Sequence, residues 1–313
     1  MRSGRDREPV LFLFLDGVGL GPADPNANPF HAAEMPNLRG LLEGKRLDGA
    51  LEAFHGVDAS FRPIDATLGV DGSPESATGQ ATLLTGVNVA QAIGGHFGPK
   101  PDPRIRAIMQ KHNLPGRLSE AGRKAKLLNA YPDSYFEAVR SGRRLHAAIP
   151  LAFALADIPL ATETDLDRGQ AVSADFTGRG WRSRMRRPST PVLNPKDAGR
   201  RLADLALEND FTMFDHWLPD YAGHYGEMRG AVRLLNVLDH VLGGILEVVR
   251  KSNLTVLLSS DHGNMEDLSD KGHTRNAVPM LALGSLDARK RIIETIVDLT
   301  GFTPAILRFF QIG

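Results

Sequence analysis

The sequence predicts an α/β protein, with a doubly wound and mostly parallel sheet as its core and a smaller α/β cap domain inserted into that core. Three observations support this prediction. Short continuous apolar runs recur along the chain, as expected for strands buried on both faces of a parallel sheet. Segments with helical periodicity lie between these runs, which is the alternation of a doubly wound domain. Proline-rich stretches flank the middle third and are typical of crossings between domains.

Five apolar runs are predicted to be strands. The first, VLFLFL at 10–15, leads directly into an acid. The others follow at 126–131, 211–214, 254–260 and 279–284.

The clearest predicted helix runs from Glu227 to about Lys251, where apolar side chains recur at three- and four-residue intervals. Shorter helices are predicted at 35–44, 76–86, 103–112, 195–208 and 285–299.

The proline-rich stretches HFGPKPDPR and RMRRPSTPVLNPK suggest two domain crossings. We therefore expect residues 1–95 and 191–313 to form the core and residues 96–190 to form the inserted cap. The charge distribution supports this division, because residues 96–190 contain 17 Lys and Arg against 9 Asp and Glu, whereas the whole chain of 313 residues has 37 of each. The predicted cap is therefore basic and the predicted core acidic.

The composition excludes several kinds of protein. The chain has no cysteine, which rules out a disulfide framework, thiolate catalysis and cysteine-ligated metal sites. Its formal charge of zero gives no overall attraction to nucleic acid or membrane surfaces. The apolar run Val10 to Leu15 is too short for a signal-peptide core, and no other run approaches the ~18 residues of a membrane span. We expect a cytoplasmic protein without a nucleic-acid or membrane partner; the sequence does not indicate its oligomeric state.

Three acids follow predicted strands and have few charged neighbours: Asp16, Asp220 and Asp261. In an open α/β sheet the ligand site lies beyond the carboxyl ends of the strands, so these acids can converge on one crevice. A lone acid at a strand end is more often a helix cap or a turn residue. The functional interpretation therefore depends on the side chains that accompany them.

Histidines accompany two of these acids. Asp220 and His224 are four residues apart, close enough to reach one ion from a helical turn. His262 directly follows Asp261, and His273 precedes the last predicted strand. For His216, beside Asp215, a packing or capping role is sufficient.

Ser76 is the candidate hydroxyl, in the segment GSPESATGQATLLTG. It is predicted to lie near a helix N-terminus, where backbone N–H groups and the helix dipole favour phosphate oxygens. An N-cap role for Ser76 is the structural alternative. Thr78 is the competing nucleophile.

Five motifs in order resemble the alkaline phosphatase superfamily, and most closely its branch of cofactor-independent phosphoglycerate mutases and phosphopentomutases. The motifs are DGVG at 16–19, ESATGQ at 75–80, DYAGH at 220–224, SDHGN at 260–264 and GHTRNAVP at 272–279. Where the mutases have Gly-His after the nucleophile, this chain has Gly79-Gln80.

The resemblance implies two divalent ions around a phosphoryl group. One ion would be held by Asp220, His224 and His273, and the other by Asp16, Asp261, His262 and the Ser76 hydroxyl. Such a mixed Asp and His set suits Mn²⁺ or Zn²⁺ better than Mg²⁺. Ser76 would be the nucleophile, since it stands three residues before Gly79.

Arginines are concentrated in the segment TGRGWRSRMRR of the predicted cap. We consider Arg179, Arg182 and Arg184 candidate substrate-binding residues, because guanidinium groups recognise phosphate or carboxylate at two points. A solvated charged surface is the more ordinary interpretation of such a run, and a nucleic-acid patch is a third.

These observations predict a two-metal phosphoryl-transfer enzyme that acts on a small phosphorylated metabolite through a phosphoserine. One alternative is a phosphohydrolase without mutase activity. Another is a catalytically silent metal-binding module.

Overall fold

The computed structural model describes residues 8–313. Its strands are β1 Val10–Leu15, β2 Phe54–His55, β3 Ala59–Ile64, β4 Ala125–Leu127, β5 Ala130–Tyr131, β6 Ala161–Thr162, β7 Phe211–His216, β8 Thr255–Ser259 and β9 Val278–Leu283. Its helices are α1 Pro29–Ala32, α2 Pro36–Leu41, α3 Ser76–Thr85, α4 Val89–Ile93, α5 Pro103–Lys111, α6 Leu114–Glu120, α7 Asp133–Arg140, α8 Ala148–Leu155, α9 Glu163–Asp167, α10 Arg179–Ser183, α11 Pro195–Leu207, α12 Leu218–Tyr225, α13 Met228–Val249, α14 Leu286–Ile293 and α15 Phe302–Phe309, with a 3-10 helix at Leu299–Gly301.

The main sheet has seven strands in the order β2-β3-β9-β8-β1-β7-β4. Strands β4, β7, β1 and β8 run parallel. Strand β9 is antiparallel to β8, and β3 is antiparallel to β9, so β3 runs in the same direction as the four parallel strands. The sheet is therefore mostly parallel, as predicted. A separate two-stranded sheet pairs β5 with β6.

Strand β1 shows why the domain is doubly wound. Its residues alternate between two hydrophobic cores, because successive side chains of a strand point to opposite faces. Val10, Phe12 and Phe14 pack into one core with helices that include α3, α5 and α15. Leu11, Leu13 and Leu15 pack into the other with α2, α11 and α13. Helices therefore cover both faces of the sheet, which confirms the predicted fold class.

The predicted domain boundaries at 96 and 190 do not coincide with the packing. Strand β4 pairs with β7 at the edge of the main sheet. The side chains of Ile105, Leu118 and Phe153 are buried in the same core as Phe12. Prolines and surface charge mark where the chain is exposed and turns, but burial of the apolar faces of α5, α6 and α8 decides which core they join.

Within the predicted cap, a small satellite core lies beside the two-stranded sheet. Its members are Ala130, Ala161, Leu166, Ala171 and Trp181. The part of 96–190 with apolar packing of its own is thus the later part, which carries the arginine-rich segment.

Other differences from the sequence prediction are local. The run predicted as one strand at 126–131 is divided between β4 and β5. Strands β2 and β3 were not predicted, since the sequence ASFRPI of β3 contains an arginine and a proline. Among residues 8–313, every helix is too short or too polar to cross a membrane.

Candidate metal centre

The topology brings several chain segments to one edge of the sheet. Strands β1, β7 and β8 are parallel, so their carboxyl ends lie at the same edge. Asp16 follows β1, helix α12 follows β7, and Asp261 lies just after β8. Strand β9 runs in the opposite direction, so it begins at the same edge, and His273 lies in the loop leading into it. Strand β3 also ends at this edge, and the loop after it leads to Ser76.

Helix α3 begins with Ser76, whereas Glu75 occupies the N-cap position. The N-cap alternative for Ser76 is therefore not what the structure shows. A side chain at Gly79, one turn along α3, would place its Cβ 2.9 Å from both the Cβ and the carbonyl oxygen of Asp261. Only glycine allows α3 to lie this close to the loop that carries Asp261 and His262.

A first group of side chains surrounds Nε2 of His262. This atom lies 3.0 Å from Oγ of Ser76 and 3.3 Å from Oδ1 of Asp16. It also lies 3.6 Å from Oδ2 of Asp261. Ligand atoms of Asp16, Asp261 and His262 are within 4.8 Å of one another, and all three residues are buried. This is the set that the sequence predicts for one ion.

A second group lies around Asp220. Its Oδ2 is 3.4 Å from Nε2 of His224, and its Oδ1 is 3.5 Å from Nε2 of His273. The two histidine Nε2 atoms are 3.2 Å apart. His262 also falls within 4.8 Å of ligand atoms of Asp220 and His273, so the two groups adjoin.

Backbone carbonyls orient the two histidines of the second group. Nδ1 of His273 lies 2.8 Å from the carbonyl oxygen of Pro74, and Nδ1 of His224 lies 2.9 Å from that of Lys271. If Nδ1 carries the proton that these carbonyls accept, Nε2 keeps its lone pair for a cation. Such a hydrogen bond on the far ring nitrogen is characteristic of metal-ligating histidines.

The electrostatics of the centre call for positive charge. Burial, followed by the charge of Asp261, raises the pKa of Asp16 well above its ordinary value. Burial lowers the pKa of His262, but the carboxylates of Asp261 and Asp16 outweigh this effect and raise it to about 10. Burial opposes ionisation of Asp220, but the hydrogen bond to His273 and the charge of His262 lower its pKa to about 2. The centre therefore favours a positive charge beside the carboxylates of Asp16 and Asp261.

The residues present fit divalent ions of the predicted kind. The Oδ1 atom of Asp16 is buried and has no well-formed hydrogen bond to any other residue in the range 8–313. Carboxylate oxygens and imidazole nitrogens together form a donor set suited to Mn²⁺ or Zn²⁺.

Three further residues support the centre and were not predicted as part of it. Gln80 donates from Nε2 to Oδ2 of Asp16 at 3.2 Å and to Oδ2 of Asp261 at 3.1 Å. Asn264 donates to Oδ1 of Asp220 at 2.8 Å. The motifs SATGQ and SDHGN contain both residues, but the sequence indicates no partner for either amide.

Glu266 is the third of these residues and is fully buried beneath the centre. Its carboxylate accepts the backbone N–H groups of Gly19 at 2.9 Å and Asn264 at 2.7 Å, and it also accepts from Asn276. It thereby joins the loops after β1 and β8 to the loop before β9. Its sequence context, GNMEDL, resembles an ordinary solvated turn.

Asp215 and His216, at the end of β7, are both buried. Burial, followed by the charge of Asp261, raises the pKa of Asp215 to about 7, and burial lowers that of His216 to about 4. The His216 ring packs on Phe176 with centroids 4.4 Å apart, and its Nδ1 lies 2.8 Å from the carbonyl oxygen of Ala174. These contacts are the packing role expected for His216.

The three candidate arginines do not form one group. Arg179 and Arg184 line a cavity of about 300 Å³ together with Trp217 and Leu218, at the start of helix α12. Arg182 donates from Nε to the carbonyl oxygen of Thr190 at 2.7 Å, so this part of its guanidinium stabilises its own loop. The structure thus separates Arg182 from the other two.

Comparison with known proteins agrees with this fold. Residues 188–310 match the family model described as the Metalloenzyme superfamily. The 2,3-bisphosphoglycerate-independent phosphoglycerate mutase of Desulforudis audaxviator is 32% identical over 134 residues, covering 36% of this chain and 26% of that protein. The enzyme of the same name from Mycoplasmoides gallisepticum is 31% identical over 130 residues, covering 38% of this chain and 25% of that protein. The chain thus matches about a quarter of the length of these relatives.

Two solved structures extend the likeness to almost the whole chain at the level of the fold. A protein from Pyrococcus horikoshii gives a TM-score of 0.58 at 15% identity and covers 97% of both chains. The alkaline phosphatase of the Antarctic bacterium TAB5 gives a TM-score of 0.51 at 12% identity, over 97% of this chain and 98% of that chain.

The fold resembles that of the TAB5 alkaline phosphatase, and residues 188–310 match the Metalloenzyme superfamily. The resemblance to the alkaline phosphatase superfamily predicted from the five motifs is thus confirmed. Within the superfamily the chain is similar to phosphoglycerate mutases over part of its length.

Proposed function

We propose that this protein is a two-metal phosphoryl-transfer enzyme that acts on a small phosphorylated metabolite through a phosphoserine at Ser76. The observation that carries the proposal is the position of the Ser76 hydroxyl, 3.0 Å from Nε2 of His262 and at the edge of the first ligand group. A hydroxyl in this position can serve both as ligand and as nucleophile.

In this proposal Asp220, His224 and His273 hold one ion, and Asp16, Asp261, His262 and Ser76 hold the other. We propose Mn²⁺ or Zn²⁺ for both positions, on the basis of the donor set. When bound, two such ions lower the pKa of a coordinated hydroxyl and offset the charge on the entering and leaving oxygens.

The chain's own residues prepare Ser76 for attack on a phosphate ester. Its hydroxyl gives its proton to solvent, its Oγ forms a bond to phosphorus, and the bond from phosphorus to the ester oxygen breaks. The ester oxygen takes a proton from solvent and leaves as the hydroxyl of the substrate. Ser76 opens helix α3, so the positive end of the helix dipole lies beside the transferred phosphate. In a second step, either water or a hydroxyl of the substrate takes the phosphoryl group from Ser76.

The structure favours Ser76 over Thr78 as the nucleophile. Oγ1 of Thr78 donates to the carbonyl oxygen of Glu75 at 3.0 Å and accepts the backbone N–H of Phe97 at 3.2 Å. Thr78 is also fully buried. Its hydroxyl therefore joins α3 to the next loop and is not presented to a substrate.

A phosphohydrolase without mutase activity remains the first alternative, and the matched quarter of the mutases does not distinguish the two outcomes. The second alternative, a silent metal-binding module, conflicts with the presence of Ser76 within hydrogen-bonding distance of a predicted ligand. The fate of the phosphoryl group distinguishes a mutase from a phosphohydrolase.

The test is mass spectrometry of manganese-loaded protein quenched during turnover of a panel of phosphomonoesters and phosphosugars. We expect phosphate on Ser76, no phosphoprotein in Ser76→Ala, and retained phosphorylation in Thr78→Val. Isotopic label returned to substrate would indicate a mutase, and label released as inorganic phosphate a hydrolase. An active Ser76→Ala variant with phosphate on Thr78 would contradict the assignment.

A further inference from the structure

Both tryptophans of the chain line one cavity. The sequence contains two tryptophans, Trp181 and Trp217, and both belong to the lining of the cavity of about 300 Å³ described above. Trp181 is 4% exposed and forms a fixed wall, whereas Trp217 is 44% exposed and Met185 is 47% exposed. Large apolar side chains left open to solvent around a concave surface indicate a binding site.

The cavity lies beside the metal centre along helix α12. Trp217 directly precedes this helix, whose first turn carries Asp220 and whose last turn carries His224. Residues three, four and seven positions apart share one side of a helix, so Trp217 lies on the side that bears both ligands. Ala174, also in the lining, contacts His216 at the end of β7. A ligand in the cavity thus lies at the same sheet edge as Ser76.

The arginines around the cavity divide into two kinds. Arg187 forms ion pairs with Glu163 and Asp167, and Arg182 donates to Thr190. Within residues 8–313, the guanidinium groups of Arg179 and Arg184 have no ion pair or side-chain hydrogen bond, and both residues are exposed. Two free sets of planar donors therefore face a space walled by aromatic rings.

The acid in the lining does not neutralise these arginines. Asp175 accepts the backbone N–H groups of Gly178 at 2.8 Å and Gly180 at 2.6 Å, and it also accepts from the Ser173 hydroxyl. Its carboxylate is used to build the turn before α10. The polar groups left for a ligand are thus mainly donors, which suits a ligand rich in acceptors.

We propose that this cavity binds the base of a nucleotide whose phosphate is transferred at Ser76. The inference rests on the proposed function and names its substrate class. A base offers a flat ring that can stack on Trp217, and its edge carries the acceptor atoms that arginine donors recognise. A phosphosugar or phosphoglycerate provides no such ring and leaves Trp217 in water.

The test is tryptophan fluorescence of the full chain with the Ser76→Ala substitution, which prevents turnover. The protein is titrated separately with guanosine 5′-monophosphate and with ribose 5-phosphate, which has the same sugar and phosphate without the base. The fluorescence is corrected for absorption of light by the nucleotide. We expect saturable quenching by the nucleotide and an affinity at least about tenfold higher than that of ribose 5-phosphate, as stacking of one base accounts for.

Two variants localise the effect. Trp217→Ala should reduce nucleotide affinity about tenfold or more, observed through the remaining Trp181 or by calorimetry. Tyr225→Ala, which removes another exposed aromatic ring from the same helix outside the cavity, should leave it unchanged.

Equal affinities for the nucleotide and ribose 5-phosphate, or equal nucleotide binding by the Ser76→Ala protein with and without Trp217→Ala, would overturn the inference. Either result would leave the predictions of a phosphoserine at Ser76 and of two bound metal ions unaffected. If Ser76 is never phosphorylated but base-dependent quenching persists, the proposed function fails while the nucleotide site stands.

Discussion

The imidazole rings of His262 and His273 stack with centroids 3.8 Å apart and planes 18° apart. His262 belongs to the group around Asp16, and His273 to the group around Asp220, so this stack forms a common wall between the two candidate ion positions. Because packed rings move together, removing one ligand group disturbs the other. We therefore expect occupancies of the two positions to be coupled.

The first prediction concerns metal content. Purified protein should hold about two divalent ions of the Mn²⁺ or Zn²⁺ type per chain, measured by elemental analysis after mild dialysis. His224→Ala and His262→Ala should each lower occupancy, with the larger loss in His262→Ala because His262 lies within reach of both groups. His240→Ala, on the exposed side of α13, is the matched control and should keep both ions. A protein without metal that is not activated by added metal would remove the basis of the proposal.

The second prediction concerns Gln80. Replacing it with Ala removes two hydrogen bonds to predicted ligands, at Asp16 and Asp261, and should weaken metal affinity about 10- to 100-fold. Competition with a chromogenic chelator measures this affinity. Gln91→Ala, at an exposed position of α4, should have no effect. Unchanged affinity in Gln80→Ala would show that the amide does not position these carboxylates.

The third prediction concerns close packing at Gly79. Gly79→Ala places a methyl group within 2.9 Å of Asp261, so α3 must move away from the centre. We expect a loss of about 1–3 kcal/mol in the free energy of unfolding, together with lower metal occupancy. Gly230→Ala is the control, since the nearest atom to its Cβ is the flexible end of Arg233 at 3.9 Å. That helical substitution should stabilise the protein by about 0.5–1 kcal/mol. Chemical denaturation of both variants tests the contrast.

The fourth prediction concerns pH. Burial lowers the pKa of His216 to about 4, so the unfolded chain binds a proton at this residue at higher pH than the native protein does. The stabilising contribution of neutral His216 is therefore complete above about pH 6.5 and is lost as pH falls toward 4. At about pH 5 the loss is about 2 kcal/mol.

Denaturation at about pH 8 and about pH 5 measures this loss, with His216→Phe as the comparison because a phenyl ring can keep the contact with Phe176. The variant should lose less stability on acidification than the wild type does. Equal losses would mean that His216 titrates normally in the native protein.

The sequence predicted the central strands because burial on both faces leaves continuous apolar runs. Strand β1 coincides with its predicted bounds, and β7, β8 and β9 lie within two residues of theirs. Strands β2 and β3 contain polar residues. Strand β2 pairs with β3, and β3 pairs with β9 from a distant part of the chain, so only tertiary contacts reveal them. The position of β4 beside β7 was missed for the same reason.

For the candidate site, the seven predicted ligands converge because six of them follow strands that end at one sheet edge, while His273 precedes β9, which begins at that edge. Their supporting residues could not be predicted in the same way. Gln80 and Glu266 act on partners 64 and 247 residues away along the chain, so no local pattern identifies their hydrogen bonds. The arginine-rich run marked a segment but not which guanidinium groups stay free, which depends on where Glu163, Asp167 and Thr190 lie.

The two outer strands of the main sheet are very short: β2 has two residues and β4 has three. An edge strand presents unpaired backbone groups on which another chain can add, and shortening it is one way that proteins avoid such pairing. The long apolar strands β1, β7 and β8, whose sequences would otherwise favour intermolecular β-structure, are all interior. The same strand order that gathers the candidate metal ligands at one end of the sheet thus also protects its sides against aggregation.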